Sequence, residues 1–201
     1  MVNTDYVMKK LAQGFTLIEL LIVIAVLGIL AVAVLSAINP IEQINRSKDT
    51  GSRSDAEQLL GAVDRDYATL GFYPWKTSPI LPAVSDATVW GPVDATWVDG
   101  LGGAQVLAKL SAAGTGELKQ SFTARITSAG YNTLNKYNMG GQGDSTYVCF
   151  IPKSSSFETE AANRCALGAG LPSDFPIGAA EACPGGAVAC AAAKTCQSCL
   201  P

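Results

Sequence analysis

The chain has 201 residues, a formal net charge of −3 and no histidine. Its length allows one modest globular domain besides an apolar N-terminal segment. Because the charge is mildly acidic and no basic patch stands out, nucleic acid is not an expected partner. Without histidine, Ser-His-Asp triads and most catalytic zinc sites are excluded, and no phosphate-cradling glycine loop is present. The sequence therefore predicts neither an enzyme nor a cofactor.

A short basic segment is followed by a long apolar one. Lys9 and Lys10 precede Gly14, and residues 15–38 are apolar with few exceptions. As a helix rising ~1.5 Å per residue, the apolar segment reaches about 36 Å, which is enough to cross a ~30 Å hydrocarbon core. Lysines in front of such a segment orient the N-terminus toward the cytoplasm. The rest of the chain is therefore expected on the far side of the cytoplasmic membrane.

Glu19 is the one carboxylate within the apolar segment. A carboxylate in a membrane helix costs roughly 3 kcal/mol or more unless a partner neutralises it. A cut after Gly14 would create a positive amine on Phe15, four residues before Glu19, and this amine could be the partner. Thr16 and Glu19 also have the spacing of a capping box, so Glu19 could instead cap its own helix.

Three interpretations of residues 15–38 compete. A plain membrane anchor accounts for the length but not for Glu19. A secretory signal peptide would be cut near Ala31-Val32-Ala33, but the apolar segment is long and continues past that site. A processed membrane subunit that assembles with copies of itself accounts for both the length and the carboxylate.

The residues at the junction support the third interpretation through a resemblance. Residues 14–23 read Gly-Phe-Thr-Leu-Ile-Glu-Leu-Leu-Ile-Val, which resembles the N-terminus of bacterial type IV pilins and pseudopilins. The resemblance is specific over residues 9–35 and looser to about residue 75. It predicts a structural subunit of a type IV pilus. The alternatives are a pseudopilin of a type II secretion or competence system, and a secreted disulfide-stabilised protein with an ordinary signal peptide.

The same resemblance assigns roles to residues and implies partners. Residues 1–14 would be a prepilin leader, prepilin peptidase would cut between Gly14 and Phe15 and methylate the new amine, and Glu19 would serve in assembly. The implied partners are other copies of the chain, the peptidase, an assembly ATPase and a polytopic membrane platform. The subunit would lie in the cytoplasmic membrane before assembly, and in an extracellular pilus or a periplasmic pseudopilus afterwards.

The apolar helix departs from the family pattern near its end. Many members carry a proline at the position of Ser36, whereas the nearest proline here is Pro40. A serine can bend a helix mildly, and Asn39-Pro40 has the pattern of a new helix start. We therefore predict a kink or short break near residues 36–40. Gly28 is a second weak point, or else a notch for packing against another helix.

Residues 39–71 keep a helical rhythm but become amphipathic. One face carries apolar residues at spacings of three and four, namely Ala56, Leu59, Leu60, Val63, Tyr67 and Leu70. Charged residues occupy many of the other positions of this stretch, among them Arg53, Asp55, Glu57, Asp64, Arg65 and Asp66. We predict that the apolar face packs on the chain's own head domain and that the helix ends at Gly71, just before Pro74.

Residues 72–201 are predicted to form an extracytoplasmic globular head with a cysteine-rich tail. Short strands are expected around residues 88–90 and 96–98, longer strands over 122–128 and 145–151, and helices over 104–112 and 155–166. The predicted fold class is α+β: a long hydrophobic N-terminal helix packed on a small antiparallel-sheet head, with a disulfide-rich C-terminal tail.

All six cysteines lie in the last third of the chain: Cys149, Cys165, Cys183, Cys190, Cys196 and Cys199. Outside the cytoplasm such cysteines are expected to form disulfides. Cys149 and Cys165 are plausible partners, which leaves the last four to pair among themselves. Cys196-Gln-Ser-Cys199 is a C-x-x-C motif, but the spacing of Cys183 and Cys190 does not fit a zinc ribbon and no βαβ context for a redox dithiol surrounds the motif. Structural disulfides are therefore favoured over a metal site.

Two further groups of residues are weak candidates for binding. Asp86, Asp94 and Asp99 lie in a loop-rich region and match no calcium-loop motif, so solvated carboxylates are expected there. The three tryptophans are expected to pack in the core and loops: Trp75, Trp90 and Trp97.

Overall fold

A computed structural model describes residues 14–76, 90–100, 104–111, 115–139, 144–167 and 181–201. The chain divides into two units, Met1–Ile41 and Glu42–Pro201. The first unit contains helix α1. Helix α2 begins in its last residues and lies mostly in the second unit, together with all later elements. In chain order the elements are α1 (Leu17–Ala37), α2 (Pro40–Leu70), β1 (Trp90–Pro92), α3 (Val106–Leu110), α4 (Gln120–Ile126), β2 (Leu134–Tyr137), β3 (Tyr147–Phe150), α5 (Ser155–Leu167), α6 (Ala187–Ala193) and β4 (Ser198–Leu200).

Helix α1 is apolar on every side. Over Leu17–Ser36 its mean hydropathy is 3.1, and its length and composition suffice to cross a membrane. The large apolar side chains between Leu17 and Leu35 are each at least 46% exposed. Gly28 does not interrupt the helix, and a Cβ atom built there would meet nothing within 4 Å. The described part of the chain therefore offers no packing partner for this helix or for a notch at Gly28.

The helix is interrupted at Ile38 and Asn39, within the range where a break is expected. The Ile38 backbone is extended, with φ −101° and ψ 127°, and α2 begins at Pro40. One turn earlier, the Ser36 hydroxyl donates a hydrogen bond to the Ala33 carbonyl at 2.8 Å. Because proline has a fixed φ and no N–H, it is well suited to open α2 but not to continue α1.

Helix α2 supplies one wall of the core of the second unit. Most of its predicted apolar face is buried, namely Ala56, Leu59, Leu60 and Val63, whereas Tyr67 is partly buried and Leu70 is 45% exposed. The helix ends before Gly71, whose φ of +78° is the left-handed conformation that glycine adopts without strain. Two of the three tryptophans, Trp75 and Trp97, are also buried, with Tyr73 stacked on Trp75.

A four-stranded antiparallel sheet in the order β1-β2-β3-β4 forms the centre of this unit. All four residues of β3 are buried, because both faces of the strand are covered. Val148 and Phe150 join the core that α2 contributes to, while Tyr147 and Cys149 join a second cluster rich in cysteine. The α+β class with an apolar N-terminal helix, an antiparallel sheet and C-terminal disulfides is thereby confirmed.

Several predicted elements differ from the structure. Residues 122–128, predicted as a strand, lie largely in helix α4, where Phe122 and Ile126 bury one face at a spacing of four residues. The predicted strand at 96–98 is only an isolated bridge between Val98 and Gln105. Strands β2 and β4 and helix α6 are additional elements that the sequence pattern does not reveal. Of the predicted strand at 88–90, only Trp90 lies within the described residues.

The six cysteines form three disulfides: Cys149–Cys199, Cys165–Cys183 and Cys190–Cys196. The predicted pairing of Cys149 with Cys165 is wrong, because the unexpected strand β4 pairs with β3 and brings Cys199 directly opposite Cys149. Since Cys196 and Cys199 belong to different disulfides, their C-x-x-C motif is not a dithiol pair.

Three sulfur atoms from two of these disulfides lie close together. The Sγ atoms of Cys165, Cys190 and Cys196 are within 4.8 Å of one another. Zinc binds cysteine as the thiolate, and these sulfurs are all engaged in disulfide bonds. The cluster is therefore a packed pair of crosslinks rather than a ligand set.

The disulfides are expected to differ in their contribution to stability. Replacing both Cys149 and Cys199 by alanine opens a 50-residue loop and should lower the free energy of unfolding by about 4 kcal/mol. The matched double replacement of Cys190 and Cys196 opens a 6-residue loop and should lower it by about 2 kcal/mol. Denaturant unfolding of the full chain in detergent, followed by tryptophan fluorescence, measures both. Equal losses would contradict the loop-entropy account.

Candidate functional site

The N-terminal end of α1 holds the residues that the sequence singles out. Gly14 and Phe15 precede the helix without regular structure, and both are exposed. Phe15 is 82% exposed, so the bond between the two residues is open to a protease. Thr16 is the N-cap of α1, and Glu19 lies in the first turn.

Thr16 and Glu19 form a complete capping box. The Glu19 N–H donates to the Thr16 hydroxyl oxygen at 3.3 Å. In return, the Glu19 carboxylate accepts the Thr16 N–H at 2.9 Å and the Thr16 hydroxyl at 2.7 Å. In the uncut chain the carboxylate is therefore bound within its own first turn, where it also opposes the positive end of the helix dipole.

The capping box places the Glu19 carboxylate one residue away from the amine that the predicted cleavage would create on Phe15. Glu19 is bonded to the nitrogen of Thr16, and the nitrogen of Phe15 precedes it by ~3–4 Å along the backbone. A free amine on Phe15 would therefore lie within reach of the same carboxylate after a small rotation. The geometry allows Glu19 to cap its own helix before cleavage and to bind an ammonium after it.

A family model confirms the class to which this N-terminus belongs. The model described as the prokaryotic N-terminal methylation motif matches residues 9–35. This range includes the basic segment, the Gly14–Phe15 junction and almost all of α1. The chain therefore carries the prokaryotic N-terminal methylation motif.

A curated relative agrees with this assignment. Fimbrial protein EcpC of Eikenella corrodens is 40% identical to the chain over 67 residues, which are 33% of this chain and 42% of that protein. The match thus spans about two fifths of the relative's length. No solved structure matches the chain. The resemblance to the type IV pilin family is confirmed by a relative with a fimbrial name and by the family motif.

The second unit contains buried carboxylates that the sequence pattern assigns no role. Asp49 and Asp55 lie on α2 and are almost completely buried. Asp49 accepts the N–H groups of Lys153 at 3.0 Å and Ser154 at 2.7 Å, and the Ser154 hydroxyl at 2.6 Å. Because Ser154 directly precedes α5, this carboxylate ties the start of α5 to α2.

Asp55 ties a different segment to the same helix. Its carboxylate accepts hydrogen bonds from both terminal nitrogens of Arg125, at 2.5 Å and 2.7 Å, and from the hydroxyl of Tyr131. Burial, and next the hydrogen bond to the Asp55 carboxylate, raise the pKa of Tyr131, so the phenol stays protonated and remains a donor. Asp55 lies four residues before Leu59 and therefore at the edge of the buried face of α2. This spacing is the signal in the sequence from which the burial of Asp55 could have been predicted.

Asp66 is buried like these two anchors but has no comparable partners. It is 1% exposed, and neither carboxylate oxygen has a hydrogen-bond partner of ordinary distance and angle. Burial raises the pKa of this carboxyl group; Thr115 and Lys109 partly offset the effect, and the charge of Glu117 adds to it. Asp66 lies beside a cavity that Lys76, Lys109 and Thr115 also line.

The other predicted binding residues are not brought together. Asp94 accepts the backbone and hydroxyl hydrogens of Thr96, and Asp99 forms an ion pair with Lys109 at 2.8 Å. Asp86 lies outside the described residues. The described aspartates of this loop region are therefore engaged within the protein rather than arranged around a cation.

Replacing Asp66 by asparagine should change how stability depends on pH. Because the folded-state pKa is raised, the protonated form stabilises the fold below the ordinary carboxyl pKa of about 3.8, and this contribution is lost as the pH rises through the raised value. The variant should thus be more stable than the parent by about 1 kcal/mol at neutral pH, and this advantage should vanish in acid. Thermal unfolding across the pH range measures it.

The matched control is Asp64→Asn, which makes the same change in charge at an exposed position of the same helix. It should not alter the pH dependence in this way. A difference between parent and Asp66→Asn that stays constant from neutral to acid pH would contradict a raised pKa.

Proposed function

We propose that this chain is the structural subunit of a type IV pilus. It enters the cytoplasmic membrane through α1, is cut by prepilin peptidase between Gly14 and Phe15, and polymerises through α1 into an extracellular filament. The observation that carries the proposal is that the methylation motif at residues 9–35 coincides with an apolar helix that nothing in the described chain covers.

The exposed surface of α1 accounts for the two environments of the subunit. Apolar side chains on every side of a helix are stable only in lipid or against other apolar surfaces. Before assembly, the lipid supplies this environment. In a filament, the α1 helices of neighbouring copies supply it, and packing between helices replaces contacts with lipid. The same surface therefore serves as membrane anchor and as assembly interface.

Glu19 gives this otherwise uniform surface an axial register. Cleavage removes the leader and exposes the ammonium of Phe15, which can pair with Glu19 in the same chain or in a neighbour. Because an unpaired charge in a low-dielectric bundle is costly, subunits that place the ammonium beside the carboxylate are favoured over slipped arrangements. The capping box with Thr16 supplies a local partner for the carboxylate before this exchange takes place.

The rest of the chain is proposed to act as a static head. Residues 1–14 form the leader, 15–38 the membrane and filament-core helix, 39–71 the helix leading into the head, and 72–201 the head itself. The three disulfides suit exposure outside the cell. The proposed role is structural and not enzymatic, so energy for extraction from the membrane must come from the assembly ATPase and platform that the family implies.

N-terminal analysis of the mature protein tests the processing step. We expect purified filaments to contain a chain that begins with N-methyl-Phe15, measured by mass spectrometry of the N-terminal peptide. A mature chain that begins near Val34 would instead support a secretory signal peptide. A chain that retains residues 1–14 in the filament would contradict the proposal, because no amine would then be available to pair with Glu19.

Variants at the capping box separate the two roles of Glu19. Glu19→Gln keeps the size of the side chain but removes its charge, and filament abundance should fall at least tenfold because the ammonium of Phe15 loses its partner. Thr16→Val removes the capping hydroxyl but keeps the carboxylate, and filaments should persist within about twofold, since a cap contributes only about 1 kcal/mol. Immunoblots of sheared surface fractions, normalised to membrane-inserted subunit, measure both.

Equal loss of filaments in the two variants would show that Glu19 acts only as a helix cap. Electron microscopy of cells with a tagged head separates the remaining alternative. Long filaments at the cell surface support a pilus, whereas tag confined to the periplasm supports a pseudopilin of a secretion or competence system.

A further inference from the structure

Two of the three disulfides lie side by side in the second unit. The Sγ atom of Cys165, near the C-terminal end of α5, is within 4.8 Å of the Sγ atoms of both Cys190 and Cys196, which are bonded to each other across the end of α6. Cys165 is itself bonded to Cys183. Because an S–S bond is about 2.0 Å long, a freed Cys165 sulfur has to move by only ~3 Å to bond with either member of the other disulfide.

The two disulfides differ in their exposure to solvent. Cys165 is partly exposed, whereas Cys190 is 0% and Cys196 3% exposed. A dissolved thiol opens a disulfide by attacking one of its sulfur atoms, so the rate depends on access to that atom. The Cys165–Cys183 disulfide is therefore the one that a reductant reaches first, and the Cys190–Cys196 disulfide is shielded from it.

The third disulfide offers a comparison within the same chain. Cys149 and Cys199 lie opposite each other on β3 and β4, and they are 0% and 1% exposed. Among the described residues, their two sulfurs form no such close group with Cys165. This crosslink is therefore as shielded from a dissolved thiol as Cys190–Cys196, but it is not placed to react with Cys165.

We propose that Cys165 relays reduction by a dithiol from the accessible disulfide to the shielded one. The dithiol first reduces Cys165–Cys183 to two thiols and is itself oxidised to a disulfide. The Cys165 thiolate then attacks Cys190 or Cys196, the bond between these two breaks, and the sulfur that is not attacked leaves as a thiolate. A second dithiol reduces the new bond at Cys165, which leaves four thiols and a second oxidised dithiol.

The relay makes the two crosslinks around α6 a redox-sensitive switch. A thiolate held beside its target reacts intramolecularly, which raises its effective concentration far above that of a dissolved thiol. Opening both bonds removes the covalent ties of α6 and the end of α5, while Cys149–Cys199 still fastens β4 to β3. The switch therefore loosens the segment around α6 and leaves the sheet crosslinked. It does not depend on polymerisation through α1.

The test compares two full-length variants that lose the same crosslink but keep different thiols. In Cys183→Ala the free thiol is Cys165. In Cys165→Ala it is Cys183, which among the described residues forms no such close group with Cys190 and Cys196. In detergent micelles at pH 8, dithiothreitol should open Cys190–Cys196 at least tenfold faster in Cys183→Ala than in Cys165→Ala. Both variants lose the same 18-residue loop closure, so their losses of stability are matched.

Peptide mapping measures the reaction. Samples are quenched with acid, alkylated and cut with trypsin and Glu-C, which places Cys165, Cys190 and Cys196 on three separate peptides. During the reaction of Cys183→Ala, the Cys165 peptide should be found linked to one of the other two. In Cys165→Ala, the alkylated cysteine should remain Cys183 until Cys190–Cys196 is reduced directly.

The unaltered chain provides a second measurement that needs no substitution. Cys165–Cys183 should open first and Cys190–Cys196 next, and the third disulfide should open last, at least tenfold more slowly than the second. The proposal is overturned if Cys190–Cys196 opens equally fast in the two variants, if no linked Cys165 peptide forms, or if the third disulfide opens as fast as Cys190–Cys196.

Discussion

The constraint on which the molecule depends is that α1, its most apolar helix, is not buried by any other part of the described chain. The core clusters of the second unit are complete without α1, because their residues all come from α2 and the segments that follow it. The large apolar side chains of α1 are exposed along the helix. An apolar surface of this kind must be buried elsewhere, and the proposed function buries it first in lipid and then against other copies. Function in this protein therefore begins with a surface that folding leaves unburied.

The second unit is built on the opposite principle, since α2 buries charged groups as well as apolar ones. Asp49 binds the backbone at the start of α5, and Asp55 binds Arg125 and Tyr131. Each carboxylate satisfies several donors of a segment distant in sequence, so α2 organises the head through polar as well as apolar contacts. Asp66 departs from this pattern. It is as deeply buried as the other two, but it does not tie a distant segment to α2.

The predictions succeeded where a local pattern and a local physical cause coincide. The α1 segment, the end of α2 at Gly71 and strand β3 follow from apolar runs, glycine conformation and alternation of side chains. The predictions failed where contacts with residues distant in sequence determine the local structure. Residues 120–126 form a helix because Phe122 and Ile126 pack together on the core, although the local pattern of residues 122–128 predicts a strand. The pairing of Cys149 with Cys199 requires β4, a strand of three residues that local propensity does not reveal.

The sequence by itself determined the type of N-terminal segment, because the methylation motif and the capping box consist of contiguous residues between 9 and 35. Thr16 and Glu19 even form their hydrogen bonds within a single turn. Only the tertiary structure decided which cysteines pair, which aspartates of α2 are anchors and which one is left without a donor. These properties depend on what lies opposite each side chain once α2, the sheet and the C-terminal segment are packed, and no spacing along the chain encodes them.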